Sequence, residues 1–255
     1  MRTPSGSPFD LSGRTAVVTG ASRGIGLSIA LGLVDAGADL IGLQRGPLAA
    51  HLEERAEWRG VTVRRVPVEL ADESSVAMAI EEALRPGPVD ILVNNAGTQI
   101  RHDAEDFPLE DFDRVLAVNT RAVFQLCQGF GRPMLERGWG RIVNVASLLS
   151  FQGGIRVPAY AASKGAVTQI TKALCNEWAG RGVNVNAVAP GYIDTEMNEA
   201  LAADPVRREQ LTVRIPAGRW GTGDDLAGAV VFLSSEAAAY VNGVVLPVDG
   251  GWLAR

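Results

Sequence analysis

Apolar residues along the chain fall into two alternating patterns. Short, nearly continuous apolar runs rich in Val and Ile predict strands buried on both faces. They occupy Thr15–Thr19, Asp39–Leu43, Val61–Val66, Ile91–Asn94, Arg141–Val145, Asn184–Ala189 and Val244–Val248. Between them, apolar residues recur three or four apart, as in Ile25, Ile29 and Leu33 or Val76, Ile80 and Leu84, the spacing of one helix face. Gly37 stands where the first of these helices would end in a left-handed residue. Nothing resembles a linker or an internal repeat. The pattern predicts one doubly wound α/β domain over residues 1–255, a seven-stranded parallel sheet with helices on both faces. The polar stretch from about 194 to 218, with Pro205 and Pro216, predicts a helical substrate lid.

Composition narrows the partners. A hydrophobic fraction of 47% with 21% charged residues suits a soluble globular chain of 255 residues. The net charge of −5 argues against nucleic acid and against an anionic membrane as partners. No run approaches the ~18 apolar residues of a membrane span, and the opening MRTPSGSPFD lacks the apolar core of a leader. Cys127 and Cys175 lie unclustered in apolar helical stretches, as small buried hydrophobes of a reducing compartment do. A cytoplasmic protein with no metal site is expected.

The first strand runs into Thr19-Gly20-Ala21-Ser22-Arg23-Gly24-Ile25-Gly26, and a helical pattern follows. Glycines at Gly20, Gly24 and Gly26 permit a tight turn and bring backbone N–H groups near a pyrophosphate at the positive end of a helix. With strand before and helix after, this is a dinucleotide cradle and makes the domain a Rossmann domain. The second strand ends in Leu43-Gln44-Arg45 without the acidic residue that would accept the ribose hydroxyls of NAD. Arg45 and Arg23 suit a 2′-phosphate, and as solvated surface arginines they would say nothing. The cofactor is NADP or NAD, and the residues lean toward NADP.

Tyr160 and Lys164 stand at i and i+4, on one face of a helix whose other residues there are small. Ser147 follows the strand Arg141–Val145, at the carboxyl edge where open α/β sheets bind ligands. Oxidising an alcohol needs a base for the hydroxyl proton. A free tyrosine titrates near ~10, and bringing it to ~7 takes roughly 4 kcal/mol. A nearby ammonium together with an oxidised nicotinamide favours phenolate in that sense. Ser147 is placed to hold the substrate oxygen.

Taken together, Thr19–Gly26, Asn94-Asn95-Ala96-Gly97, Asn119, Ser147, Tyr160-x-x-x-Lys164 and Pro190-Gly191-Tyr192-Ile193 resemble the short-chain dehydrogenase/reductase family, in order and spacing, over nearly the whole chain. The resemblance implies an enzyme of known machinery. Tyr160 would be the acid/base, Lys164 would lower its pKa and bind ribose, Ser147 would orient substrate, and Asn119 would hold a water behind the lysine. Asn95, Ala96 and Gly97 would flank the cofactor, and Pro190, Gly191, Ile193 and Thr195 would hold its nicotinamide. Where the family carries Asp near the adenine, this chain has Glu69 followed by Leu70. The family's homotetramers imply the same assembly here, with Trp252 to Arg255 at a subunit interface.

Substrate choice lies in Ser150 to Pro158, between Ser147 and Tyr160. Arg156 offers a bidentate fork to a carboxylate, Gln152 an amide to a hydroxyl, and Arg101 a second guanidinium on the same rim. Arg156 paired with an acidic residue or another subunit is the competing reading. LSFQGGIRVPAY, RIPAGRWG and the terminal DGGWLAR resemble the family's sugar-acid branch, the 2-deoxy-D-gluconate 3-dehydrogenases and gluconate 5-dehydrogenases. The expected reaction interconverts a secondary alcohol and a ketone on a gluconate-type or 3-deoxy sugar acid. The alternatives are a 3-ketoacyl-thioester reductase or general alcohol dehydrogenase of the same family, and a non-catalytic NADP(H)-sensing protein.

Overall fold

A computed structural model describes residues 6–255, apart from the side chains of Ala200 and Ala202. The first five residues of the stretch expected to carry no leader lie outside the described residues. Seven parallel strands form one sheet: β1 (Thr15–Thr19), β2 (Asp39–Leu43), β3 (Val63–Val66), β4 (Ile91–Asn94), β5 (Gly140–Val145), β6 (Val183–Pro190) and β7 (Val245–Val248). Their spatial order is β3-β2-β1-β4-β5-β6-β7. The chain thus winds outward from β1 in one direction, returns, and winds outward in the other. The loops after β1 and β4 diverge at that reversal, which opens a crevice at the carboxyl edge.

Helices cover both faces. α1 (Gly24–Asp35), α2 (Ala50–Arg59) and α9 (Asp224–Ser234) pack Ile29, Leu33, Leu52 and Val230 against Val18, Leu40, Val93 and Val143. On the opposite face, α3 (Glu73–Leu84), α5 (Ala122–Arg137) and α6 (Pro158–Trp178) pack Val76, Ile80, Phe130, Met134 and Leu174 against Val17, Leu43, Leu92 and Ile142. The alternation of side chains along each strand feeds the two cores separately.

Local chemistry sets the ends of these elements. The Asp72 side chain accepts from Ser74 N at 2.9 Å and caps α3. Gly37 has φ +97° just past α1, as its position in the sequence suggests. The third strand begins at Val63 rather than Val61, because Val61 N donates back to Ala56 O and still belongs to the end of α2. Between α4 (Leu109–Leu116) and α5 the helix widens into a π turn over Ala117–Arg121, which sequence periodicity does not reveal.

The segment after β6 forms α7 (Glu199–Ala202) and α8 (Pro205–Thr212) within the stretch expected as a lid. Asp204 caps α8 by accepting from Val206 N and Arg207 N, with Pro205 at the first helical position. A third apolar cluster, Leu148, Leu211, Ile215, Trp220 and Trp252, seats this segment on the sheet edge.

Phe130 is fully buried in the layer between α5 and the sheet. Phe130→Ala is expected to lower the unfolding free energy by about 3–5 kcal/mol, read from urea denaturation. A loss under about 1 kcal/mol would mean that the core closes over the gap.

Candidate active site

A cleft of about 1400 Å³ runs along the carboxyl edge of the sheet. It is lined by every residue singled out from the sequence as catalytic, cofactor-binding or substrate-binding except Asn119. These residues come from the loops after β1, β2, β3, β4, β5 and β6 and from the start of α6.

The glycine turn is built by close approach. Gly20 and Gly24 have φ +70° and +55°, and a Cβ on Gly26 would stand 2.0 Å from Gly20 O. The start of α1 has no side-chain cap and no acidic residue in its first turn, so its N–H groups face the cleft edge with the dipole unneutralised. Asn95 locks this turn to β4, donating from Nδ2 to Thr19 O at 2.9 Å and Gly20 O at 3.2 Å. These residues fit a dinucleotide.

At the far end, Gln44 is folded back, its Nε2 donating to Pro47 O at 2.5 Å, while its buried Oε1 has no partner among the described residues. Arg45 is exposed and lies 3.7 Å from Glu69. Arg23 pairs with Glu196 across the mouth of the cleft. Both arginines that suit a 2′-phosphate therefore sit on carboxylates, and a phosphate has to compete with these partners.

The chemistry-bearing side chains gather where β5 meets α6. Ser147 follows the strand by two residues and caps a single 3-10 turn by accepting from Leu149 N at 3.2 Å. Lys164 is buried, and its Nζ donates to Val145 O at 2.6 Å and lies 5.6 Å from the centroid of the Tyr160 ring. The small residues around Lys164 on α6 allow this close seat. Asn119 sits one layer behind the cleft, in the π turn. Its Oδ1 accepts from Thr98 N at 2.8 Å, and its Nδ2 donates to Thr98 O at 2.9 Å and to Ser163 Oγ at 3.0 Å. Beneath them runs a buried chain absent from the sequence reading: Asn94 Nδ2 donates to Asn144 Oδ1, and Asn144 Nδ2 to Thr171 Oγ1, each at 2.9 Å. An Asn inside an otherwise apolar strand is the signal that points to it.

Burial sets the electrostatics of this group. Burial lowers the Lys164 ammonium from 10.5 to about 8. Burial also raises the Tyr160 phenol above its ordinary value, with the Ser147 hydroxyl acting in the opposite sense. The lysine does not by itself turn the tyrosine into a base, because the same desolvation that brings the ammonium close also disfavours its charge. A phenolate near neutral pH requires a further positive charge in the cleft.

On the substrate side, Arg156 has φ +66°, its Nε lies 3.1 Å from Asp103 Oδ1, and its carbonyl accepts from His102 N at 3.2 Å. The guanidinium faces the cleft already matched to a carboxylate, which is the competing reading for it. Gln152 Oε1 accepts from Trp252 Nε1 at 3.4 Å. Trp252 packs inside its own chain against Tyr192, ring centroids 4.8 Å apart, so its indole forms a wall of the cleft rather than a surface patch. Arg101 also lines the cleft, and the sequence reading did not anticipate Tyr192, Arg207 and Arg214 as lining side chains.

Residues 20–253 match a family model described as enoyl-(acyl carrier protein) reductase. The chain is 49% identical to 2-dehydro-3-deoxy-D-gluconate 5-dehydrogenase of Bacillus subtilis, covering 97% of each chain. It is similar to the crystal structure of a candidate NAD(P)-dependent gluconate 5-dehydrogenase from Beutenbergia cavernae with bound NADP (51% identity, TM-score 0.94, 98% and 100% covered). It is similar also to a gluconate 5-dehydrogenase from Burkholderia cenocepacia in complex with NADP and tartrate (41%, 0.91, 97% and 98%).

The buried ammonium makes stability depend on pH. Lys164 titrates near 8 in the folded chain and near 10.5 when unfolded, so between those values the unfolded state holds more protons and stability rises with pH. Lys164→Met lacks that gain. Its stability relative to the unsubstituted chain, from urea midpoints, should fall between pH 8 and 10.5. A constant difference across that window would show that Lys164 stays charged when folded.

Proposed function

The chain belongs to the short-chain dehydrogenase/reductase family, and from that premise we propose that it interconverts a secondary alcohol and a ketone on an open-chain sugar acid of the gluconate or 2-dehydro-3-deoxygluconate type. It is an NAD(P)-dependent oxidoreductase. The observation that carries the reading is the meeting of Ser147, Tyr160 and Lys164 at the carboxyl edge of β5 in one cleft with the glycine turn. The sugar-acid relatives match end to end, and the polar, arginine-bearing rim suits such a substrate better than an acyl chain.

In this reading NAD(P) held in the cleft would supply the acceptor for the hydride of the carbinol carbon. Tyr160 as phenolate removes the hydroxyl proton, leaving the carbonyl. Ser147 donates to the same substrate oxygen as negative charge develops on it. Lys164, held on Val145 O, keeps a cation beside the Tyr160 ring and would hold the ribose. Asn119 fixes the Thr98 backbone and Ser163, and so the wall beside the lysine. Gly20, Ser22, Gly24, Ile25 and Gly26 would cradle the pyrophosphate. Glu69 and Leu70 would border the adenine, while Pro190, Gly191, Ile193 and Thr195 would border the nicotinamide.

NADP(H) is the preferred form in this proposal, supported by Arg45 at the strand exit and by the NADP found in solved relatives. The segment 194–218 serves as the lid. Homotetramer assembly and a cytoplasmic location belong to the same proposal. The exposed apolar side chains Leu109 and Phe124 suit a subunit interface. Among the described residues both cysteines are free thiols and no helix is long and apolar enough to cross a membrane.

Two experiments test this. Tyr160→Phe is expected to lower kcat on gluconate by roughly 10²–10⁴-fold while NADPH still binds, as read by fluorescence titration; retained turnover would remove Tyr160 from the chemistry. Arg45→Ala should raise the Michaelis constant for NADPH about tenfold relative to that for NADH, by loss of a charge-assisted contact. Equal catalytic efficiency of the unsubstituted enzyme with the two nucleotides would overturn the NADP preference.

A further inference from the structure

Three arginines line the substrate end of the cleft from two directions: Arg101 from the loop after β4, and Arg207 and Arg214 from the lid segment. None has an acidic partner within 4.0 Å among the described residues, unlike Arg23, Arg45, Arg156 and Arg208, each of which faces a carboxylate. Among the described residues the side-chain partner of Arg207 is the neutral Gln210 Oε1 at 3.5 Å. Glu199, the acidic residue of α7 on this wall, forms no ion pair with any of the three. In a chain of net charge −5, a gathering of unmatched guanidiniums at a cleft calls for an anion.

What these arginines surround is built rather than loose. Tyr192 is wedged between Trp220 and Trp252, at centroid distances of 5.4 and 4.8 Å. The Arg214 guanidinium lies over the Trp252 ring, 4.0 Å from its centroid. Stacking on an indole fixes the plane of a guanidinium and leaves its N–H edge free for a carboxylate. Asp249 holds the turn that carries Trp252 by accepting from Gly251 N at 2.8 Å and Leu253 N at 2.9 Å. Arg255 donates to Val213 O at 3.1 Å and to Arg214 O at 3.3 Å, tying the backbone at the stacked residue to the chain end. The Tyr192 hydroxyl forms no hydrogen bond with any described residue. Arg207, Arg214 and Arg101 all favour negative charge at that phenol, against the burial that raises its pKa.

The strands place this cluster beside the chemistry. Val145 pairs with Val188 in the β5–β6 register, so Ser147 and Pro190 stand level at the sheet edge, and Tyr192 follows by two residues.

We propose that Arg207 and Arg214, with the Tyr192 hydroxyl and with Arg101 from the loop after β4, form the subsite that takes the carboxylate of the substrate. The proposal rests on the sugar-acid reading above and moves the anchor from the Ser150–Pro158 loop to the lid. Arg156 then shapes its loop through Asp103, and an acid draws the lid down by binding guanidiniums that are part of it.

The test uses the enzyme with NADP and compares Arg214→Met and Arg207→Met with Arg208→Met, which removes a lid guanidinium already paired with Asp194. Gluconate is the substrate, and tartrate is tested as a competitive inhibitor of whichever alcohol the enzyme oxidises. Each of the first two substitutions should raise the Michaelis constant for gluconate and the inhibition constant for tartrate by about tenfold or more. The turnover number should fall much less, Arg214→Lys should recover part of the loss, and Arg208→Met should move neither constant. Unchanged constants in both variants, failure of tartrate to inhibit the unsubstituted enzyme, or loss confined to kcat would overturn the proposal. An enzyme that oxidises no sugar acid yet is inhibited by tartrate through these arginines would refute the sugar-acid reading while leaving the carboxylate subsite in place. Thermal midpoints of all variants separate misfolding from weakened binding, and Arg214→Lys keeps the comparison open if a Met variant is unstable.

Discussion

An ammonium held inside the molecule by the carbonyl oxygen of the last residue of a strand is the constraint around which the site is arranged. Lys164 Nζ on Val145 O joins α6 to β5, so the helix must approach the sheet edge at one height and angle. The helix reaches that seat because small residues surround the lysine, and Ser150 Oγ donates to Lys164 O at 2.8 Å on the outer side. Behind it the π turn swings Asn119 inward to bind Ser163 and Thr98. Ser147, Tyr160 and the 97–101 loop inherit their positions from this joint. A buried cation is costly, and the fold places that cost at the point where it is used.

Charge is divided along the cleft. At the nucleotide end, arginines are matched to glutamates, so the surface is polar but locally neutral. Toward the 97–101 loop and the segment after β6, Arg101, Arg207 and Arg214 have no acidic partner within 4.0 Å among the described residues, although Arg156 and Arg208 do. The protein as a whole is acidic, and local arrangement rather than net charge therefore decides which molecules are drawn to the cleft. Two of those guanidiniums, Arg207 and Arg214, belong to the segment after β6, so the carboxylate subsite proposed above would couple recognition to movement of that segment.

The sheet was legible because its strands are buried on both faces, which leaves near-continuous Val and Ile runs, and because parallel strands need intervening helices of regular period. The strand limits agree within two residues at β3 and more closely elsewhere. The places of the glycine turn, Tyr160, Lys164 and Ser147 at a strand end or helix turn were readable from spacing, but spacing alone suits a surface Tyr–Lys pair as well, and only the family resemblance singled these residues out. The rest depends on side chains meeting across distant elements. Nothing near Arg156 in the sequence says that Asp103 takes its guanidinium, and nothing near Arg214 says that Trp252 lies beneath it. The π turn escaped because one inserted residue barely disturbs the apolar period. How far burial opposes charge on both Lys164 and Tyr160 is likewise not written in the sequence.

Arg156 occupies the left-handed region of backbone space, where a side chain is disfavoured, and both its carbonyl and its guanidinium are tied to the 102–103 segment. The loop that looks freest to vary is thus pinned at its most unusual residue. Glycine there would ease the backbone but release the ion pair, while a β-branched residue would strain the backbone as well as lose it. Evolution of new specificity in this cleft therefore has fewer single steps through the exposed loop than its accessibility suggests.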